Sequence, residues 1–348
     1  MEAEQAYQAL ATALGYPESP EFKDLLHFLM TPSEAVLVAS LPAKAEEAGK
    51  RVGLDGETAK QVLDKLVVTG VVKPGRSGVY RFVGNTVELH DSTQSRGGWD
   101  PKAEPRLGEL WETFSRAGWL ESLASAREKR PMPTSRVIPA YRAIPPEIKL
   151  EPWEDVREAL KHASLIAALN CACRQQKAAI NQACSSSKAE VCLQFDRSAE
   201  YGIGRGSSRK VSYEEALAIV DYAEDHGLIH TVFRNAKTVQ ASALCNCCFD
   251  CCLGFTEFKE TGRSIGTRMA KSRYQATIDM EACNGCEICA PVCGWEAIAI
   301  QDDKALLDPE KCWGCGNCVL QCPAEAITMK LVRPPEWVPD AAPERVQG

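Results

Sequence analysis

The chain has 348 residues, with 40 Lys and Arg against 47 Asp and Glu and a formal net charge of −7. That balance provides no global field for nucleic acid or an anionic membrane surface, and no apolar run approaches the ~18 residues of a membrane span. The length leads us to expect two or three domains, each with enough chain for a core. All 17 cysteines lie between Cys171 and Cys322. An odd count at short spacings reads as metal binding rather than as a secreted disulfide framework. The acidic start, Met1-Glu-Ala-Glu-Gln-Ala-Tyr, has no signal-peptide core, so a reducing cytoplasm is the expected location.

The predicted elements begin with Glu21–Met30, where Phe22, Leu25, Leu26, Phe28 and Leu29 form an apolar stripe at helical spacing. Ser33–Ser40, Lys44–Val52 and Gly56–Thr69 follow as helices. The last carries Ala59, Val62, Leu63, Leu66 and Val67 on one face. Val71–Lys73, a turn at 74–78 and Val79–Val83 read as a β-hairpin. Three helices closed by a hairpin, with Gly53-Leu54 between the second and third, resemble a winged helix-turn-helix module over 1–90. Such modules often bind DNA, yet Lys60 and Lys65 of the expected recognition helix stand beside Glu57 and Asp64. Residues 1–90 hold nine Lys and Arg against twelve Asp and Glu. DNA binding rests on neutralised phosphates, so nucleic acid is disfavoured and a scaffold or protein-docking module is expected.

Residues 91–150 read as a connector. One helix is predicted over Leu107–Leu123, with Leu110, Trp111, Phe114, Trp119 and Leu120 to bury. The proline-rich stretch Arg130–Pro146 cannot form regular helix and is expected to wrap another domain in extended form.

A small cysteine-rich α+β domain is expected over 151–265. Pro152–His162 is a predicted helix, and the apolar run Ser164–Asn170 leads into Cys171-Ala-Cys173-Arg174. Ser212–Asp225 is a second helix, with Ser212 and Glu215 at capping-box spacing. Leu228–Phe233 reads as a strand, and Ala241–Leu244 runs into Cys245-Asn-Cys-Cys-Phe-Asp-Cys-Cys252. Tyr201–Gly206 is glycine-rich but lacks the spacing of a nucleotide loop, so a flexible turn is expected there.

The segment 266–335 carries the densest signal. It reads Cys283-Asn-Gly-Cys-Glu-Ile-Cys-Ala-Pro-Val-Cys293 and then Cys312-Trp-Gly-Cys-Gly-Asn-Cys-Val-Leu-Gln-Cys322-Pro. Both halves have C-x2-C-x2-C-x3-C spacing, and they repeat at an offset of 29 residues. Ile278-Asp279, Glu281, Cys283, Gly285 and Cys286 recur as Leu307-Asp308, Glu310, Cys312, Gly314 and Cys315, which marks a duplicated unit. Over 273–330 this resembles the bacterial two-[4Fe-4S] ferredoxin family. The one departure is Gly294, where the family usually has the proline seen at Pro323. The resemblance implies that three thiolates of each half hold one cubane and the fourth ligates the other. One ligand set is then Cys283, Cys286, Cys289 and Cys322, and the second is Cys312, Cys315, Cys318 and Cys293. Zinc is the weaker alternative, because zinc sites pair two C-x2-C units across a longer gap.

Nine cysteines stand upstream: Cys171, Cys173, Cys184, Cys192, Cys245, Cys247, Cys248, Cys251 and Cys252. The most economical grouping takes Cys171, Cys173, Cys184 and Cys192 as one four-thiolate site and draws a second from Cys245–Cys252. Groups mixed across the two segments are the alternative. One or two further [4Fe-4S] clusters are the favoured reading. Zinc also accepts four thiolates, and buried unliganded thiols or redox disulfides account for fewer of the nine. Arg174 and Lys177 could offset cluster charge. The order of Cys-x-Cys-Arg, Cys192-Leu193, Gly204-Arg205, Glu214–Leu217, Cys-Asn-Cys-Cys and the repeat is similar to a group of multi-cluster ferredoxin-like proteins of anaerobic bacteria, over roughly 136–330.

The expected fold class is therefore α+β: a winged-helix module, a connector, a cysteine-rich domain, a two-cluster ferredoxin-like βαβ repeat and a tail over 336–348. The resemblances imply electron carriage to a partner oxidoreductase in a cytoplasm poor in oxygen, with a second copy of the chain as another candidate partner. Two alternatives stand beside it: a redox-sensing DNA-binding regulator, and a catalytic subunit with an upstream cysteine-ligated metal site. His27, His90, His162, His226 and His230 pair with no nucleophile in sequence, and no independent catalytic constellation is found.

Overall fold

The computed structural model describes residues 1–75, 77–182, 184, 186 and 188–340. Arg76 of the expected turn and 341–348 of the expected tail lie outside the described residues. The chain divides into two compact units. One is Met1–Leu120 with Asn170–Cys184 and Ile203–Ser208; the other is Glu121–Leu169, Ser185–Gly202 and Arg209–Gly348.

In the first unit, helices span Ala3–Ala13, Pro20–Leu29, Pro32–Ala39, Ala45–Val52 and Gly56–Thr69. Their ends follow local chemistry. Ser19 Oγ accepts the Phe22 N–H at 3.1 Å, and Asp55 Oδ1 accepts that of Thr58 at 2.9 Å. Thr31 and Glu34 form a capping box, while Gly53 and Gly70 end helices at φ 79° and 89°. Strands β1 (Ala43–Lys44), β2 (Val72–Pro74) and β3 (Val79–Phe82) make an antiparallel sheet in the order β1-β3-β2. Among residues 1–94, two helices escape the sequence reading, Ala3–Ala13 and Thr86–Gln94; the second has mostly polar side chains, so its periodicity is faint.

The expected Leu107–Leu123 helix is interrupted. Arg106–Phe114 is α-helical, Ser115–Trp119 is a π-helical turn with Gly118 at φ 116°, and Leu120–Glu128 continues. Leu110, Trp111, Phe114, Trp119 and Leu120 are buried as expected. Burying two indoles requires partners for their N–H groups. Trp111 donates to Thr93 Oγ1 at 3.0 Å and Trp119 to Thr86 Oγ1 at 2.7 Å, which is why a polar helix is buried there. Helix Ala172–Ala179 packs beside Gly108, where a Cβ would collide with the Ala179 methyl. Lys177 Nζ lies 2.9 Å from Glu112 Oε2 in a largely buried pair. Its charge is thus committed to a carboxylate rather than to a cluster.

The second unit is built on a seven-stranded mixed sheet. Its strands are β4 (Ser135–Val137), β5 (Ile166–Asn170), β6 (Glu190–Phe195), β7 (Ser208–Val211), β8 (Ile229–Val232), β9 (Ala243–Cys247) and β10 (Met269–Ala270). The spatial order is β10-β4-β8-β9-β6-β5-β7. The proline-rich stretch is extended in part, supplying β4, and turns through a short 3-10 helix at Tyr141–Ala143. Helices Val156–His162 and Tyr213–Asp225 cover one face, burying Leu160, Ile219 and Val220 against Leu193, Phe195 and Leu244. Tyr201–Gly206 is not the flexible turn expected: Arg197–Gly204 is helical, and Gly206 at φ 74° ends the segment.

The C-terminal repeat follows with β11 (Tyr274–Ile278), β12 (Ile298–Gln301), β13 (Lys304–Leu307) and β14 (Ile327–Leu331). β11 pairs antiparallel with β14, and β12 with β13. Each half is therefore strand, cysteine loop, short helix, strand, and each pairing joins one half to the other. No helix among the described residues is long and apolar enough to cross a membrane.

A buried ion group ties the start of the repeat to the sheet. Arg273 Nη1 lies 2.8 Å from Glu154 Oε2, and Arg136 of β4 donates to the Trp153 carbonyl at 2.6 Å. Burial raises the Glu154 carboxyl above its usual range against the pull of both guanidiniums, and lowers Arg136 to about 10. Removing the carboxylate charge would leave two buried cations facing each other. Glu154→Gln should destabilise the protein by about 3 kcal/mol, and the exposed-pair control Glu158→Gln by under about 1 kcal/mol. Denaturant midpoints of the two variants check this.

Candidate metal centres

The two cysteine loops of the repeat are shaped by the same local devices. At the end of β11, Asp279 Oδ1 accepts the N–H groups of Glu281 and Ala282 at 2.8 and 3.2 Å. After β13, Asp308 Oδ1 accepts that of Glu310 at 3.0 Å. These side chain-to-backbone bonds turn the chain into each loop. Gly285 and Gly314 then take φ 71° and 69°, and a Cβ at either would run into a carbonyl, of Asp303 and Tyr274 respectively. Even the duplicated glutamates, Glu296 and Glu325, share a left-handed backbone at φ 53° and 50°.

The loops surround two separate concavities. Cys283, Cys286, Cys289 and Cys322 line the first, with Ile300, Ala305 and Ile327 as apolar wall. Cys293, Cys312, Cys315 and Cys318 line the second, with Trp295, Trp313 and Met329. The structure thus brings the eight thiols together in two sets of four, each set taking one thiol from the opposite half. The first set is the more open: Cys286 is exposed, whereas Cys312 and Cys318 of the second are buried.

Electrostatics sets Cys283 apart from the buried thiols of both sets. Backbone N–H groups of Ala305 and Gly285 point at Cys283 and hold its thiol below the ordinary range. Burial raises Cys289, Cys293 and Cys318, and pushes Cys315 up to about 12. N–H groups of Ala297, Trp295 and Ile298 act on Cys293, and that of Asn317 on Cys315, in the opposite sense. The buried Trp295 Nε1 has no hydrogen-bond partner in ordinary geometry, and Cys315 is the sulfur it acts on.

Four soft thiolates per concavity, apolar walls and N–H donors aimed at sulfur suit an iron–sulfur cluster. Binding iron removes the thiol protons, so burial of these groups couples metal uptake to proton release.

The upstream cysteines fall differently from the economical grouping. Cys171 caps helix Ala172–Ala179, and Cys173 lies within its first turn. Cys184 is half-buried on the segment after that helix. Cys192 is on β6 and meets Cys245 of β9, which also meets Cys247, as in the mixed alternative. Cys252 Sγ lies 3.5 Å from Cys247 Sγ. The ligand atoms of Cys248, Asp250 and Cys251 lie within 4.8 Å of one another; Asp250 went unnoticed in the sequence because only thiols were counted.

Of the aromatic surroundings, Phe249 and Phe255 escaped the sequence reading. Trp295 and Trp313 stack at 4.6 Å with their planes 13° apart. Phe249, from the Cys245–Cys252 run, lies 5.1 Å from Trp295 and 4.3 Å from Phe255. Its ring occupies the space where a Cβ on Gly294 would stand. That contact accounts for glycine at 294, where the second half has Pro323.

Among known protein families, the 4Fe-4S binding domain family (Fer4) matches residues 305–328. Those residues include Cys312, Cys315, Cys318 and Cys322, so the chain carries an iron–sulfur, ferredoxin-like segment. No curated protein and no solved structure matches the chain.

The glycine cradle can be tested directly. Gly314→Ala adds about 1–2 kcal/mol of left-handed strain and drives a methyl into the Tyr274 carbonyl. It should cost the protein about four irons per chain, one cubane. Iron and sulfide assays on oxygen-free preparations read the loss.

Proposed function

We propose that this chain is an electron-transfer protein with two [4Fe-4S] clusters over 266–335, one held by Cys283, Cys286, Cys289 and Cys322 and one by Cys293, Cys312, Cys315 and Cys318. The observation that supports it best is the pair of concavities, each lined by four thiols drawn crosswise from both halves. Bound clusters supply reversible one-electron chemistry. The chain's own part is to hold them, donate N–H groups to sulfur and exclude water, which together tune potential.

Cys286 and the neighbouring Ile288, 43% exposed, leave the first site accessible to a protein partner. Trp295 and Trp313 shield the second. We assign the upstream cysteines to one or two further clusters and the acceptor to a partner oxidoreductase.

The N-terminal helices and the β1-β3-β2 sheet support a winged-helix module used for docking. The lysines of helix Gly56–Thr69 are engaged locally: Lys60 with Asp64 and Lys65 with Glu34, both at 2.6 Å. Releasing them to phosphates would cost these pairs, in a segment that is already acidic.

Protein purified without oxygen should carry at least about eight irons and eight sulfides per chain. Cys315→Ser should lose about four of each, and dithionite should generate one-electron-reduced cluster signals in electron paramagnetic resonance. Zinc in place of iron would reject the reading. In the same preparation, duplex DNA should show no mobility shift even at low salt; a salt-sensitive shift would favour a regulator instead.

A further inference from the structure

Four upstream thiols are assembled by sheet register. β6 buries Val191, Leu193 and Phe195 on one side, leaving Cys192 on the other. β9 likewise buries Leu244 and Asn246 and turns Cys245 and Cys247 the opposite way. Because Leu193 pairs with Leu244 in an antiparallel register, Cys192 and Cys245 are the next cross-strand neighbours on the far face. Cys247 follows two residues along β9 on the same face. The chain then turns back through Cys251 and brings Cys252 Sγ to 3.5 Å from Cys247 Sγ. The Cys245 side chain meets those of both Cys192 and Cys247. Cys248 and Cys251 gather with Asp250.

This face packs into an apolar cluster that also holds Val137, Ile229, Ile265 and Met269. Cys247 and Cys252 share one apolar cluster with Phe249, Phe255, Trp295, Trp313 and Cys315, a thiol of the second ferredoxin concavity. Phe255 stands 5.0 Å from Trp295, and Phe249 fills the notch at Gly294. A proline or any side chain at 294 would push the Cys245–Cys252 loop away.

We propose that Cys192, Cys245, Cys247 and Cys252 hold a third iron–sulfur cluster, seated against the second ferredoxin site through Phe249, Phe255, Trp295 and Trp313. The inference rests on the reading of the ferredoxin repeat as two cluster sites, and adds to it the ligand set and the neighbour. Iron–sulfur is assigned over zinc by the setting. Zinc has no redox chemistry, and nothing in a purely structural ion calls for a packed aromatic layer shared with a cluster thiol.

The test uses the full chain prepared without oxygen, with iron, sulfide and zinc measured together. About twelve irons or more are expected, against about eight for the ferredoxin repeat alone. Cys192→Ser/Cys245→Ser should lose about four irons, one cubane, while the ferredoxin signals persist as a control for folding. Phe249→Ala should keep its iron yet weaken the magnetic interaction between the third signal and the second ferredoxin cluster. If the double variant fails to fold, the wild-type count decides. About eight irons, or zinc lost from this site in the double variant, overturns the third cluster and leaves the ferredoxin reading standing. No iron at all overturns both.

Discussion

The repeat rests on one geometric constraint: three cysteines at three-residue intervals can wrap one concavity, and the fourth of the same run cannot reach it. In this structure Cys293 and Cys322 each line the concavity of the opposite half. Neither loop is complete without the other, so the two halves must form together. The strand pairings repeat the same logic, because β11 pairs with β14 and β12 with β13. Glycines at 285 and 314 let each loop pass close under a carbonyl, where a side chain would hold it off.

A second level of organisation fastens this repeat to the seven-stranded sheet. The Arg273–Glu154–Arg136 group does so at the start of the repeat, through charges that are costly to separate once buried. Asn317 adds a bond from its amide to the Gly227 carbonyl at 2.6 Å, and the Ala140 N–H reaches the Cys315 carbonyl at 2.8 Å. The aromatic layer contributes area and about 0.5–1.5 kcal/mol per ring pair beyond it. The second concavity is thereby enclosed on several sides, while the first keeps Cys286 open to solvent. Such an asymmetry suits a protein that exchanges electrons at one end and keeps the other dry.

The first unit solves a separate problem, that of burying a cluster of large rings. Trp111 and Trp119 pack around His90, whose Nε2 lies 2.7 Å from Gln176 Oε1, and Phe114 packs against both indoles. Each buried polar atom in that group needs a partner, and Thr86, Thr93 and Gln176 supply them. A helix such as Thr86–Gln94 therefore has a polar composition and a buried position at once.

By itself the sequence determined what depends on short spacing. The helices from Pro20 to Thr69, the hairpin and the cysteine loops were legible because each is decided within a few residues. The duplication was legible because both halves carry the same turn aspartates and glycines. Tertiary structure decided what depends on neighbours distant in the chain. Cys192 meets Cys245 through a strand register, and β6 was overlooked although Val191, Leu193 and Phe195 alternate with polar positions. Gly118 broke a helix that periodicity alone would continue. Gly294 was visible as a departure, but its cause is the ring of Phe249, 45 residues away in the chain and in contact only after folding.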